Sequence, residues 1–204
     1  MESANPAESF CKPKILVSKC LGFARCRYNG ETISDPFTDK LKPWVEFTPV
    51  CPEMEIGLGA PRHPVRLVEG QGRVRMVQPA SGRDLTAAMA AFASSLAGSL
   101  ADLDGLLLKS RSPSCGPMDV KIYSDSKPGS ASRRGRGLFA DAILGMKPGI
   151  AVEHEGRVLN LHLREHFLSR IFTLARLRQL TVKPSIKALM EFHAANRACQ
   201  VFCV

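Results

Sequence analysis

The chain has 204 residues, of which 45% are hydrophobic and 23% charged, a composition typical of a globular protein and not of a disordered one. No segment approaches the roughly 18 consecutive apolar residues that a membrane-spanning helix needs, and residues 1–10 lack the apolar core of a secretory signal. We therefore expect a cytoplasmic protein with no membrane partner. The formal net charge is +9, and residues 133–204 carry twelve Lys and Arg against five Asp and Glu.

The first part of the chain is predicted to contain two buried strands. Residues 14–18 and 45–50 are short runs rich in branched and aromatic apolar residues, which favour the β conformation. Residues 54–83 are rich in Gly and Pro and are predicted to be mostly loop, with a hairpin around residues 65–77.

A helix and two further strands are predicted in the middle of the chain. Asp84 is suited to cap a helix over residues 85–103, whose Ala-rich composition indicates burial. Residues 106–109 are predicted to form the third buried strand, and residues 120–123 a further short one. Residues 124–137 are basic and of low complexity, and we expect a flexible loop there.

The last part of the chain has apolar residues at helical spacing. A helix is predicted over residues 159–180, and a second over residues 185–199 after the helix-breaking Pro184. Alternation of strands and helices favours an α/β fold, with a mainly parallel sheet, flanking helices and a site at the carboxyl ends of the strands. We expect this α/β domain to span residues 12–150 and a partial helical domain to span residues 151–204.

Three of the seven cysteines follow the three predicted buried strands. Cys20, Cys51 and Cys115 each lie at or just beyond a strand end and beside Gly or Pro, where an α/β sheet binds ligands. Converging thiolates repel each other unless a cation lies between them, and soft sulfur ligands select zinc, copper or iron–sulfur clusters. The chain has no C-x2-C pair of the kind that structural zinc sites use, so an iron–sulfur cluster with one open iron is the favoured prediction. The alternative is that all three are ordinary buried thiols.

Two polar residues lie close to these cysteines in sequence. Glu53 follows Cys51 by two residues, and Ser112 precedes Cys115 by three. A carboxylate beside a metal centre can relay protons, but an acidic residue at a helix start and a serine before a proline also have purely structural roles.

The three cysteine motifs resemble the TudS-type thiouracil desulfidase family. The matching segments are ILVSKCLG followed by CRYNG, then FTPVCPEMEIGLGAPRHPVRLV, then LLLKSRSPSCG. The later segments GLFADAILG, LNLHLREHFLSRIFTLARL and LMEFHAANR are similar to the longer YbgA-like members, which carry a helical domain after the desulfidase domain. Many long members have an apolar residue in place of Cys26, so we do not count Cys26 as a ligand.

The resemblance implies a 4Fe–4S cluster held by Cys20, Cys51 and Cys115, with the fourth iron open to the sulfur of the substrate. It implies a reaction that converts the C=S of thiolated uracil-type bases, nucleotides or RNA fragments to C=O with release of sulfide. In this non-redox reaction Glu53 and Ser112 are the expected catalytic residues. We also expect that the substrate is bound by two residues of the matching motifs, Ser114 and Arg62.

Two other hypotheses remain open at the level of sequence. The basic charge fits a metal-stabilised RNA- or nucleotide-binding module without turnover, although one Trp and two Tyr leave little scope for base stacking. His162, Glu165 and His166 fit the H-x-x-E-H pattern of a zinc hydrolase helix, which also arises by chance on a solvated helix face.

Overall fold

The computed structural model describes residues 10–196, except for residues 71, 100, 126, 128 and 183. These residues form an α/β fold, as predicted, but with two sheets instead of one. Cys199 and Cys203 lie outside the described residues. None of the helices in the described part of the chain is long and apolar enough to cross a membrane.

The first sheet is entirely parallel and contains the three predicted buried strands. The four strands are β1 (Lys14–Ser18), β2 (Glu46–Val50), β6 (Gly105–Leu108) and β9 (Ala151–His154). Their order is β2-β1-β6-β9, so β1 lies between the other two strands that are followed by a cysteine. Because parallel strands end at the same edge, the residues that follow these strands are brought together.

The second sheet is mostly antiparallel and was only partly predicted. Its strands are β3 (Arg66–Gly70), β4 (Arg73–Gln78), β5 (Arg83–Asp84), β7 (Val120–Tyr123) and β8 (Ser132–Gly135). Their order is β5-β4-β3-β7-β8, and the pair of β3 with β7 is the one parallel pairing of this sheet among the described residues. The predicted hairpin around residues 65–77 corresponds to β3 and β4, whereas β8 lies in the segment predicted to be a flexible loop.

Six α-helices lie within the described residues, and several of them begin with a side-chain cap. Asp35 caps the first helix through Thr38 N, and Asp84 accepts a hydrogen bond from Thr86 N at 2.9 Å, close to the start predicted from sequence. The helices are α1 (Pro36–Leu41), α2 (Pro52–Glu55), α3 (Thr86–Ser99), α4 (Leu138–Met146), α5 (Leu161–Val182) and α6 (Ile186–Ala195).

The first sheet is buried on both faces, which explains why its strands are continuous apolar runs. Along β1, Leu16 packs into a cluster that includes residues of the second sheet, α3 and α4, while Ile15 and Val17 pack against α1 and α5 on the other face. The sheet is therefore fixed between two layers, and its carboxyl edge is a rigid platform for a site.

Helix α5 packs directly on the first sheet. A Cβ at Gly105 would come within 2.7 Å of Ile171 Cγ2, so the absence of a side chain at Gly105 allows this close approach. Arg178 near the end of α5 donates to the buried Asp104 at 2.8 Å. Strand β9 pairs with β6, and α5 packs on the same sheet. The division of the chain at residue 150 and a separate helical domain stay predictions, and α6 has no buried residue.

Candidate active site

A cavity of about 320 Å³ opens at the carboxyl ends of β1, β2 and β6. It is lined by all the residues that the sequence analysis assigned to the site: Cys20, Cys51, Glu53, Arg62, Ser112, Ser114 and Cys115. The three cysteines are each no more than 9% exposed. The parallel order of the strands thus brings together three sulfur atoms from segments that are far apart in sequence.

The turn that carries Cys115 is fixed by its own hydrogen bonds. Ser112 Oγ accepts from Cys115 N at 3.1 Å, and Gly116 N donates to the Ser112 carbonyl at 2.9 Å. Arg111 adopts a left-handed conformation with φ of 56°, which is uncommon for a residue with a side chain and is often found at functional sites.

The start of helix α4 holds this turn through several contacts, one of which requires a glycine. At the first turn of α4, Ala140 N donates to the Ser114 carbonyl at 3.1 Å. A Cβ at Gly137 would lie 2.4 Å from that same carbonyl oxygen, so only glycine permits the approach. The position of the cysteine turn is therefore set by the start of α4, 22 residues later in the chain.

Glu53 lies in the short helix α2 and is held by two partners. Arg62 Nε donates to its Oε2 at 2.8 Å and Arg62 Nη2 lies 2.6 Å from the same oxygen, which makes a buried ion pair. Ser114 Oγ donates to Oε1 at 2.6 Å and lies 3.1 Å from Ser112 Oγ. A continuous hydrogen-bonded chain thus runs from Ser112 through Ser114 to the carboxylate.

The guanidinium of Arg62 is hydrogen-bonded to other residues of the protein and is buried away from the open part of the cavity. Besides Glu53, its Nη1 donates to the carbonyls of Cys26 at 2.9 Å and Gly59 at 2.7 Å, and its side chain is 5% exposed. This geometry supports a role in positioning Glu53 more than the substrate-binding role expected from sequence.

A fourth thiol, which the sequence analysis set aside, lies in the same cavity. Cys26 is 3% exposed and lines the cavity together with Cys20 and Cys51, and the Cys51 thiol donates to the Cys26 carbonyl at 3.6 Å. The only sequence signal for it was its distance of six residues from Cys20, which gives no information on whether the two sulfurs meet.

Three thiols of the cavity are in their protonated form at neutral pH when no metal is bound. The hydrogen bond from Cys20 raises the pKa of Cys26 to about 11, and burial raises the pKa of Cys115 to about 12. The pKa of Cys51 is also raised, first by its hydrogen bond with Cys26 and then by burial. Metal binding at this site must therefore release protons.

The donor set has the chemistry that an iron–sulfur cluster requires. Cys20, Cys51 and Cys115 are free thiols in the same cavity, and thiolates are the usual ligands of such clusters. Within the described part of the chain, no group of three or more His, Cys, Asp and Glu side chains is spaced to hold a single ion.

The zinc pattern on α5 does not form a comparable site. His162, Glu165 and His166 lie on an exposed part of that helix and do not line the cavity. The structure therefore offers no third ligand beside them among the described residues, and the zinc hydrolase hypothesis has no support in the geometry.

A second network, also missed from sequence, anchors the loop after β6. Glu155, which follows β9, accepts hydrogen bonds from Lys109 Nζ, from Ser110 Oγ at 2.6 Å and from Ser110 N at 2.8 Å. Burial alone would raise the pKa of Glu155, but the hydrogen bonds from Lys109 and Ser110 outweigh it and hold this pKa below its usual value.

We expect Glu155→Gln to lower the free energy of unfolding at pH 7 by about 1 to 3 kcal/mol, because it weakens charge-assisted hydrogen bonds in a largely buried position. Since the folded-state pKa is lowered, this contribution is complete above the unfolded pKa of about 4.3 and is lost as the pH falls through the folded value. Urea denaturation at pH 7 and near pH 3 (roughly, below the unfolded pKa) measures the effect. Exposed Glu191→Gln is the control, and an equal loss at both pH values would contradict the account.

Comparison with known proteins supports a common family. The chain is 36% identical to the uncharacterized protein YbbK of Bacillus subtilis (strain 168) over 109 residues, which are 50% of this chain and 72% of YbbK. A solved structure described as the [4Fe-4S]-dependent thiouracil desulfidase TudS is similar with a TM-score of 0.58 and 31% identity, over 76% of this chain and 98% of TudS. The family model for 2-thiouracil desulfurase matches residues 15–155, from β1 to the end of β9. The chain therefore belongs to the 2-thiouracil desulfurase family.

Proposed function

We propose that this protein is a 4Fe–4S-dependent desulfidase that converts the C=S group of thiolated uracil-type compounds to C=O and releases sulfide. The observation that carries the proposal is the set of three buried cysteines from three strand ends that line the same cavity as Glu53. The similarity to TudS, which is described as [4Fe-4S]-dependent, supports the identity of the cofactor.

In this proposal Cys20, Cys51 and Cys115 hold the cluster. When bound there, the cluster would supply a Lewis-acidic iron without a protein ligand that binds the thiocarbonyl sulfur and polarises the C=S bond. Soft iron prefers sulfur to oxygen ligands, which accounts for selection of thiolated over ordinary pyrimidines.

Glu53 is the proposed general base. It accepts a proton from the water that attacks the ring carbon, and the reaction consumes one water molecule and releases one molecule of hydrogen sulfide. The ion pair with Arg62 fixes the carboxylate in place. Arg62 thereby acts as a positioning residue.

Ser112 and Ser114 extend the proton path from Glu53. The two hydroxyls are linked at 3.1 Å and Ser114 donates to the carboxylate at 2.6 Å, so a proton taken up by Glu53 can reach the cavity through them. Ser112 is then the hydroxyl placed to orient the substrate, and Ser114 is the link.

Nucleotides and RNA fragments are included in the proposed substrate range because of the charge around the cavity. Lys19, Arg27 and Arg111 line it, and Arg111 is exposed. Among these, Arg27 forms an ion pair with the exposed Glu31 at 3.4 Å. Salt ions and the phosphate of a ligand compete readily with an exposed ion pair of this kind. Cations at this position can hold the phosphate of a nucleotide while its base enters the cavity.

The proposal is tested by measuring sulfide after anaerobic reconstitution with iron and sulfide. The protein is incubated with 2-thiouracil, 4-thiouridine and 4-thiouridine 5′-monophosphate, and both sulfide and the oxygenated product are quantified. We expect them in equal amounts. Iron-loaded protein that binds RNA in a salt-dependent manner and releases no sulfide would instead favour the binding module.

A further inference from the structure

Helices α5 and α6 expose apolar side chains that the proposed function does not use. On α6, Ile186 is 81% exposed and Met190 is 68% exposed. Beside them, an apolar groove of about 390 Å³ lies between the end of α5 and the start of α6, and Leu177, Leu180 and Leu189 help to line it. These five side chains form one apolar face. A contiguous exposed apolar surface of this kind is typical of an interaction site.

Contacts within and between the two helices fix the direction in which α6 turns its residues. Ser185 Oγ accepts from Ala188 N at 3.1 Å and caps the start of α6. The guanidinium of Arg176 on α5 lies 5.7 Å from the ring centroid of Phe192. Phe192 therefore faces α5. At 3.6 residues per turn Met190, two positions earlier, points to the opposite side of the helix.

The charged residues beside the apolar face are arranged so that a second copy of α6 complements them. Lys187 and Glu191 are exposed, lie on the same edge of the helix and form no ion pair within the described part of the chain. Two α6 helices that pack antiparallel about a twofold axis at Leu189 place residue 187 of one copy level with residue 191 of the other. The axis keeps both charged edges on the same side, so each Lys187 meets the Glu191 of the other copy.

The same arrangement covers the apolar residues of α6. Ile186 of one copy lies between the levels of Met190 and His193 of the other copy, on the face that each helix turns toward its neighbour. Leu189 meets its own counterpart at the axis. A parallel arrangement would instead place the two Lys187 side chains level with each other and bring like charges together, so the antiparallel arrangement is favoured.

We infer that the apolar face binds a second copy of the chain, through an antiparallel contact of the two α6 helices about a twofold axis at Leu189. Twofold contacts, in which both copies use the same surface, are the commonest kind in homo-oligomers. Because the apolar face is confined to α6 and the end of α5, the interface is small, and we expect a dissociation constant on the order of 10 μM. The inference depends neither on the cluster nor on the proposed reaction.

Sedimentation equilibrium of the full chain in the presence of a thiol reductant tests the dimer. We expect monomers at roughly 1 μM and mainly dimers at roughly 100 μM, on either side of the expected dissociation constant. Leu189→Gln should weaken association at least about tenfold, because it removes the apolar contact at the axis. Leu161→Gln is the matched control, since Leu161 is 57% exposed, Leu189 is 58% exposed and only Leu189 lines the groove. A monomer at every concentration, or a dimer that Leu189→Gln leaves unchanged, would overturn the inference.

Exchange of the two charges tests the antiparallel arrangement. Lys187→Glu should weaken association about fivefold, because the twofold axis makes two ion pairs and both are replaced by opposed carboxylates. Adding Glu191→Lys to the same chain should restore wild-type association, since both pairs form again with their charges exchanged. Both residues are exposed, so far-UV circular dichroism should show the wild-type helix content in each variant. A double variant that associates no better than Lys187→Glu alone would overturn the inference.

Discussion

Glu53→Gln is expected to reduce sulfide release at least about 100-fold while the protein still binds its cluster, since general-base catalysis typically contributes that much or more. The substitution keeps the size of the side chain and removes only its charge and its capacity to take up a proton. Glu53 is not among the proposed ligands, so iron content and the visible absorbance should be unchanged. Steady-state sulfide release and iron analysis on the same preparation measure both quantities.

The neighbouring Glu55→Gln provides the matched control for this prediction. Glu55 lies in the same short helix, is exposed and does not line the cavity, so its loss should leave turnover unchanged. If Glu53→Gln retained wild-type turnover, the proposed role of the carboxylate would be wrong. If the Glu53→Gln variant lost its iron, its lower turnover would be explained by loss of the cluster and not by loss of a general base.

Arg62→Leu is expected to have the largest effect on stability, about 3 to 5 kcal/mol, because it leaves the buried Glu53 carboxylate without its counter-charge. It also removes the donors that the Cys26 and Gly59 carbonyls use. Turnover should fall together with stability, because the carboxylate is no longer held toward Ser114. Urea denaturation and sulfide release at a temperature where the variant is folded separate the two effects.

A double-mutant cycle distinguishes the ion pair from a loss of packing. Glu53→Gln combined with Arg62→Leu should be less destabilising than the sum of the two single changes, because the buried charge is then removed as well. Arg25→Leu changes an exposed arginine outside the cavity and should leave stability nearly unchanged. Additivity of Glu53→Gln and Arg62→Leu would show that the pair is not coupled.

The strands of the first sheet could be predicted because their apolar runs report burial on both faces. Residues 14–18, 45–50 and 106–109 overlap β1, β2 and β6 to within one residue, and the rule that sites lie at the carboxyl edge then identified the positions of the cysteines. Strand β8 could not be predicted, since SRRG in a Ser-, Gly- and Arg-rich segment has little β propensity. This segment forms a strand because it pairs with the edge of β7, where Arg133 lies opposite Ile122.

The side chains around the cysteines could be predicted only where they belong to one of the cysteine motifs. Nothing in the local sequence indicates that Arg62 reaches the carbonyl of Cys26, a contact across 36 positions that depends on how two loops pack. The same is true of Glu155 and Lys109, which meet because β6 and β9 are neighbours. Long-range polar contacts of this kind follow from the fold and not from periodicity.

Iron and acid-labile sulfide, counted per chain in anaerobically reconstituted protein, give the most direct measure of whether the three cysteines share one centre. For the wild type and for Cys11→Ala we expect about four of each. Cys20→Ala, Cys51→Ala and Cys115→Ala should each lose most of both. Full iron content in any of these three variants, or zinc in place of iron in the wild type, would contradict a shared cluster at the strand ends.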